Sequence, residues 1–482
     1  MFDTSFNTSL LCDFYEFTMG NGYLKTGKKD VQACFDLYFR KVPDDGGFVV
    51  AAGLASVISY VEQLHFSPKD IEFLRSKNMF GEEFLEYLVN FDFKCDVYAV
   101  EEGTPVFPNE PLVVVKGPAI QAQLLETMLL LTINHQSLIA TKANRILRAA
   151  AGRPVFEFGT RRAQGKDAAV MGARAAYIGG CSGTACAVCE QLFGIPAVGT
   201  MAHSWIQIFD DEYEAFKEYA ALYPDNCTLL VDTYNVLKSG IPNAIRAYKE
   251  VLAPMGKRLK GIRIDSGDVA YLTKKARIML ETAGLSDCKI FVSNSLDEYI
   301  IRDILSQGAQ ADIFGVGERL ITSKSEPVLG GVYKLVAAEK DGQLIPKIKI
   351  SENVEKITTP GFKTVYRLFS NSSGKMVADL IALREESFDF SAPITLFDPD
   401  FTWKRKTFED YTVKELLVPI YKNGKLVYNI PDIEKTKKYC KEEISKLWDE
   451  ILRFENPQNY YVDLSQELWD IKHKLLQEGN RI

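Results

Sequence analysis

From residue 152 onward one texture recurs along this 482-residue chain: a short β-rich run, a polar tip, then a helical stretch. The runs are 154–159, 195–199, 228–231, 261–264, 289–293 and 312–315. Their intervals suit one strand plus one helix, which predicts parallel strands joined by right-handed crossovers. Six such units fit either a barrel or a doubly wound sheet, and in both the chemistry sits at the carboxyl ends of the strands. Those ends read Phe-Gly-Thr-Arg-Arg, Gly-Thr-Met-Ala-His, Asp-Thr-Tyr-Asn, Arg-Ile-Asp-Ser-Gly-Asp, Ser-Asn-Ser-Leu-Asp and Gly-Val-Gly-Glu-Arg. A purely structural barrel has no need to gather Arg, His and Asp on one face, so the tips are read as one active site.

The rest of the chain frames this region. Residues 90–118 read as short strands punctuated by Gly and Pro. Residues 119–151 contain neither, which predicts a helix, with a break near Asn134 because the run is long. After Ser351 the texture is mixed: 402–411 is charged, and two amphipathic helices are expected near 432–453 and 464–477, as packing elements. Hydrophobic content of 46% and charged content of 25% exclude a collagen-like or disordered chain. With 57 basic and 64 acidic residues the net charge is -7, which gives no general attraction for nucleic acid or acidic membrane but leaves room for a local basic pocket. The most apolar stretch, 124–133, is cut by Glu126 and is too short to span a bilayer. The first residues show no basic leader with an apolar core and carry Asp3, Asp13 and Glu16; nine cysteines form no regular framework. The expectation is a reduced cytoplasmic protein.

At the tips, His203 is one of four histidines and follows a Gly-Thr turn. It fills a loop, or serves as general acid–base or phosphate-accepting nucleophile. Arg263 and Asp265 flank Ile264, so strand alternation sends both to the same face. They make either a surface ion pair or a sugar-phosphate site, the guanidinium on phosphate and the carboxylate on ribose hydroxyls. Ser293-Asn294 and Gly315-Val316-Gly317 end two late strands, where backbone N–H groups can approach an anion closely. Phe158 with Arg161 makes either a core Phe beside an exposed Arg or a place for a flat anionic ring, which stacks on the Phe and meets the guanidinium with its carboxylate. Cys181, Cys186 and Cys189, with Cys227 further on, have the spacing of iron–sulfur ligands and define an alternative, a redox protein. Their Gly-, Ala- and Ser-rich surroundings favour small packed side chains instead. No His or Cys pattern reads as a zinc site.

Taken in order, Asp13-Phe-Tyr15-Glu-Phe-Thr18-Met, Glu157-Phe-Gly-Thr-Arg-Arg162, Gly199-Thr-Met-Ala-His203-Ser, Arg263-Ile-Asp265-Ser-Gly-Asp and Gly330-Gly-Val-Tyr-Lys-Leu resemble the nicotinate phosphoribosyltransferases over nearly the whole chain. The resemblance implies an irregular, TIM-like α/β barrel (136–350) preceded by an N-terminal α/β domain (1–135) and followed by a C-terminal mixed region (351–482). It implies conversion of nicotinate and phosphoribosyl pyrophosphate to nicotinate mononucleotide and pyrophosphate in NAD salvage, coupled to ATP with Mg²⁺, in a homodimer with shared sites. No nucleic acid or membrane partner is implied.

Residue by residue, the resemblance makes His203 the phosphorylated histidine. Phe158 and a partner subunit's Tyr15 become the two sides of a sandwich around the pyridine. Arg161, Thr200 and Ser204 become contacts around the substrate ring. Arg263 becomes the contact to the substrate anion or 5′-phosphate, and Asp265 the holder of the ribose hydroxyls. Ser293, Asn294, Gly315 and Gly317 match the phosphate loops. The related nicotinamide enzyme, the nearer alternative, carries an aspartate after the corresponding Gly-Thr; here Gly183-Thr184 is followed by Ala185, which favours the acid as substrate. One departure stands out: Glu318 and Arg319 follow Gly317, where other members have small residues. Glu318 beside a phosphate would be costly unless it points away or meets Mg²⁺.

Overall fold

The repeating texture folds as a parallel sheet of six strands: β1 (Val155–Glu157), β2 (Gly183–Thr184), β3 (Thr228–Leu230), β4 (Gly261–Ile264), β5 (Lys289–Asn294) and β6 (Ile313–Val316). Their order is β2-β1-β6-β5-β4-β3, every neighbouring pair parallel. Alternate residues of a strand share a face, and Ile262, Ile264, Ile290, Val292, Phe314 and Val316, on one face of the sheet, are all fully buried. In this computed structural model the described residues are 7–479; Asp3, used in reading the first residues, lies outside them. The sheet belongs to one of two compact units, Ile139–Pro327; the other joins Met1–Leu138 to Val328–Ile482. The helix Glu126–Ala149 contains a boundary between them.

Two expectations for this sheet are corrected. Residues 195–199 are not a strand. Thr184 N donates to Pro196 O at 3.0 Å and Val198 N to Thr184 O at 2.8 Å, a single bridge. Pro196 has no N–H to extend a ladder. The strand that does form nearby, β2, is two residues long and was missed; its Gly183 lets Pro196 O approach, since a Cβ there would lie 2.5 Å from that oxygen. The irregular, TIM-like barrel that the resemblance implies is not seen as a closed one either. Among the described residues the hydrogen-bonded sheet ends at β2 on one edge and β3 on the other, so it is an open parallel sheet in a mixed α/β chain.

The other unit is built on a seven-stranded antiparallel sheet, with Gln32–Tyr38 and Val113–Pro118 at its centre. Val113, Val114 and Val115 are all buried there. Asp36 in the middle of Gln32–Tyr38 is buried too, and Lys363 Nζ answers it at 2.8 Å. The predicted strands of 90–118 appear as Asp96–Ala99, Pro105–Val106 and Val113–Pro118. The long helix does not break near Asn134. It breaks at Leu124 and Leu125, between Ala119–Gln123 and Glu126–Ala149. An Asn costs a helix only a few tenths of a kcal/mol, and Gly331 packs so close to Asn134 that a Cβ there would lie 2.1 Å from its side-chain oxygen.

The region after Ser351, read as texture plus two helices, also holds a four-stranded sheet: Tyr411–Glu415, Lys363–Ser370, Met376–Leu383 and Val462–Leu464. The charged run 402–411 supplies one strand of a hairpin, Arg405–Phe408 against Ile394–Phe397. The two helices are Ile433–Ser445 and Gln466–Gly479. Among the described residues no helix is long and apolar enough to cross a membrane.

Candidate active site

The tips of β4 and β5 make the centre of the site. Arg263 and Asp265 do share a face, with Arg263 Nη2 donating to Asp265 Oδ1 at 3.1 Å. Arg263 Nε donates to Ser293 Oγ at 2.8 Å, and Ser293 Oγ in turn donates to Asp265 Oδ1. Nη1 reaches Met201 O at 3.2 Å and Thr200 Oγ1 at 3.5 Å. The guanidinium is therefore pinned by the end of β5, by the residue that follows β4 and by the loop before His203. It lies 5.8 Å from the centre of the Phe158 ring, within cation–π range.

Phe158 follows β1 and keeps that strand's register, donating its N–H to Val316 O at 2.8 Å. Its ring runs parallel to that of Phe291, 4° between planes. Glu157, fully buried behind it, accepts from Gly159 N and, at 2.6 Å, from Thr184 Oγ1. Burial pushes its carboxyl above the ordinary range despite those two donors. Ala185, exposed, ties its N–H to Glu157 O at 2.8 Å. The side chain that follows Gly183-Thr184 is thus an exposed methyl group.

His203 opens the short helix His203–Ile208 with its side chain 39% exposed. Its Nδ1 lies 3.0 Å from Thr233 Oγ1. Its Nε2 faces two carboxylates, Asp265 Oδ2 at 3.8 Å and Asp232 Oδ1 at 3.9 Å. Asp232 was not singled out from the sequence. Its side chain is 1% exposed. Oδ2 accepts from Asp265 N at 3.0 Å and Ser266 Oγ at 2.6 Å, while Oδ1 has no hydrogen-bond partner. The signal was available: Asp232 is the first polar residue after the apolar run ending at Val231, and Leu230 pairs with Arg263, which puts Asp232 level with Asp265.

Among the described residues the other expected ones make no side-chain hydrogen bond to this centre. Arg161 is exposed on the turn Thr160–Arg162, and Ser204 is exposed on the His203 helix. The Asn294 side chain folds back on its own chain, accepting from Ser295 N at 2.6 Å. Tyr15 lies in the other unit, 42% exposed in the helix Phe14–Lys25. Gly315 and Gly317 are placed by close packing: a Cβ on Gly315 would come 2.6 Å from the Phe158 ring, and one on Gly317 3.1 Å from Phe158 O. The Glu318 carboxylate is taken by Lys324 at 2.6 Å, which holds it below the ordinary range, and Arg319 pairs with Asp297.

The cysteines do not make a cluster site. Cys181, Cys186, Cys189 and Cys227 are all buried, and burial pushes the Cys189 thiol up to about 12. Among the described residues no group of three or more His, Cys, Asp or Glu is arranged to hold a metal.

Residues 154–377 match the nicotinate phosphoribosyltransferase (NAPRTase) family, 10–134 its N-terminal domain and 362–472 its C-terminal domain. The nicotinate phosphoribosyltransferase of Bacillus subtilis is 44% identical over 98% of this chain and 95% of its own length. The chain belongs to the nicotinate phosphoribosyltransferase family. The human nicotinate phosphoribosyltransferase is 31% identical over 97% of this chain and 96% of its own. A crystal structure of the human nicotinic acid phosphoribosyltransferase superposes with a TM-score of 0.86 at 29% identity, covering 96% of this chain and 99% of that one. A nicotinate-nucleotide pyrophosphorylase from Pyrococcus furiosus superposes with a TM-score of 0.70 at 25% identity, covering 92% and 98%. The phosphoribosyltransferase family thus spans both units and every tip described above.

Proposed function

We propose that the chain transfers the phosphoribosyl group of phosphoribosyl pyrophosphate to the ring nitrogen of nicotinate, releasing pyrophosphate and forming nicotinate mononucleotide for NAD salvage, with ATP hydrolysis coupled through His203. The observation that carries this reading is the meeting of His203, Asp265, Arg263 and Phe158 at the strand tips of a chain from this family. Breaking the C1–pyrophosphate bond leaves positive charge on the ribose, and Asp265, 31% exposed, is the carboxylate open to it. It stabilises that charge without forming a bond, while the pyridine nitrogen attacks C1. Phe158 gives the pyridine a face and Arg263 an edge for its carboxylate or for the 5′-phosphate. Positioning supplies most of the rate.

Two carboxylates on the Nε2 side of His203 favour a proton there, which leaves the lone pair on Nδ1, beside the Thr233 hydroxyl. That lone pair is the group that ATP would phosphorylate. Ser293, Asn294, Gly315 and Gly317 form the phosphate loops in this reading. Glu318 is no obstacle, because Lys324 holds it. Mg²⁺ ordinarily uses one or two carboxylates plus substrate phosphates. The open Asp265 fits that pattern, while Asp232 is covered. The ion would neutralise the leaving pyrophosphate.

Arg161, Thr200 and Ser204 are assigned to the substrate ring by likeness to the family, as are a partner subunit's Tyr15, the homodimer and the cytoplasmic location. Nicotinate is preferred to nicotinamide because Ala185 offers the amide no acceptor and the carboxylate no repulsion. Product formation from nicotinate, nicotinamide and quinolinate, each with phosphoribosyl pyrophosphate and Mg²⁺, tests this. Nicotinate should be turned over far faster than the other two; faster use of either would move the assignment to a sister activity.

A further inference from the structure

Asp297 and Glu298 stand side by side where the loop after β5 enters the helix Glu298–Ser306, and each is tied to a different element. Asp297 Oδ1 accepts from Ile300 N at 2.9 Å and so caps the helix. Its other oxygen accepts from Arg319 Nη1. Glu298, fully buried, holds Lys142 Nζ at 2.8 Å and Arg145 Nε at 2.9 Å. Lys142 Nζ also donates to Ser325 Oγ at 2.8 Å, beyond β6. Arg319 sits two residues past Gly317, and Asp297 three past Asn294. The Asp297–Arg319 pair therefore joins the loop after β5 to the short helix Glu318–Ile321 that opens at the Gly317 tip after β6, with side chains 15% and 33% exposed.

We infer that Arg319 is a positioning residue for the phosphoribosyl phosphate, which it serves through Asp297 by fixing the two loops against each other so that both face one anion. The inference rests on the assignment of these loops to phosphate made above. Arg319 does not act as a phosphate ligand in its own right, since its charge is already met by a carboxylate in a charge-assisted bond. The neighbouring Glu318 is matched in the same way by Lys324. The two charges that replace small residues after Gly317 thus bring their own counter-charges, and the loop presents no net charge of its own to a phosphate.

Steady-state kinetics on full-length variants tests this, with melting temperatures measured alongside. Asp297→Asn keeps the helix cap and removes only the charge. Asp297→Asn and Arg319→Ala should each raise KM for phosphoribosyl pyrophosphate by about tenfold, the scale of one lost charge-assisted hydrogen bond, with KM for nicotinate moving less than about twofold. The double variant should be no worse than the poorer single one, and Arg319→Lys should fall between. An unchanged KM for phosphoribosyl pyrophosphate in both single variants overturns the inference. So do additive effects in the double variant, or both KM values rising together with a loss of melting temperature. Wild-type protein that makes no nicotinate mononucleotide would instead overturn the underlying reading, before any variant is compared.

Discussion

Gly315 lies against the ring of Phe158 so closely that a methyl group in place of its hydrogen would come within 2.6 Å of a ring carbon. The residue is glycine because of this approach, not because of its backbone conformation. Gly315→Ala should push the ring off the pyridine position. Overpacking of this kind costs roughly 1–3 kcal/mol, so KM for nicotinate should rise about tenfold with KM for phosphoribosyl pyrophosphate unchanged. Equal KM values for wild type and variant would show that Phe158 does not carry the ring.

Asp232 is the covered carboxylate behind Asp265 and His203. Asp232→Asn keeps its shape and removes its charge. If it holds the imidazole proton on Nε2, the ATP-stimulated rate should fall on the order of 100-fold while KM values stay close to wild type. Initial rates with saturating substrates decide this; a variant as fast as wild type would reduce Asp232 to a loop anchor.

Glu16, in the helix Phe14–Lys25, gives a pH signature of its own. It is fully buried, and burial pushes its carboxyl up to about 7 although Thr127 donates to it at 2.6 Å. The unfolded chain's carboxyl titrates near 4.3. Between these values the folded protein holds the extra proton, so stability from this group is greatest at low pH. It is lost as pH rises toward 7, by on the order of 3 kcal/mol. Glu16→Gln should therefore gain on wild type between pH 5 and pH 8 in urea unfolding. A difference that does not change with pH would contradict the shift.

Arg367 and Asp379 face each other across two strands of the C-terminal sheet, both fully buried, with Tyr460 OH donating to Asp379 at 3.0 Å. Arg367→Met strands the aspartate and should cost about 3–5 kcal/mol, while Arg367→Met with Asp379→Leu should recover most of it. Denaturant midpoints of the three proteins check both halves. A single variant as stable as wild type would show that the aspartate is hydrated or protonated at no cost.

The parallel strands and the Arg263–Asp265 pair were legible because each depends on local information, an apolar run and the two-residue alternation along it. Asp232 was not, because its importance comes from the register of β3 on β4, a tertiary property. Residues 195–199 looked like a strand by composition, and Pro196 decided otherwise. The C-terminal sheet was hidden for a related reason. Arg367 reads as an exposed position until its cross-strand partner is known, and that partner is set by pairing rather than by spacing. Arg161 and Ser204 were expected at the site from their motifs alone, and both are exposed in the chain by itself.

The most direct test of the account is the conversion of labelled nicotinate to mononucleotide, with and without ATP, by wild-type protein and His203→Ala. Wild type should be stimulated by ATP, and the variant should retain only a slow transfer that ATP leaves unchanged. Stimulation that survives in His203→Ala would place the phosphoryl acceptor elsewhere and contradict the account.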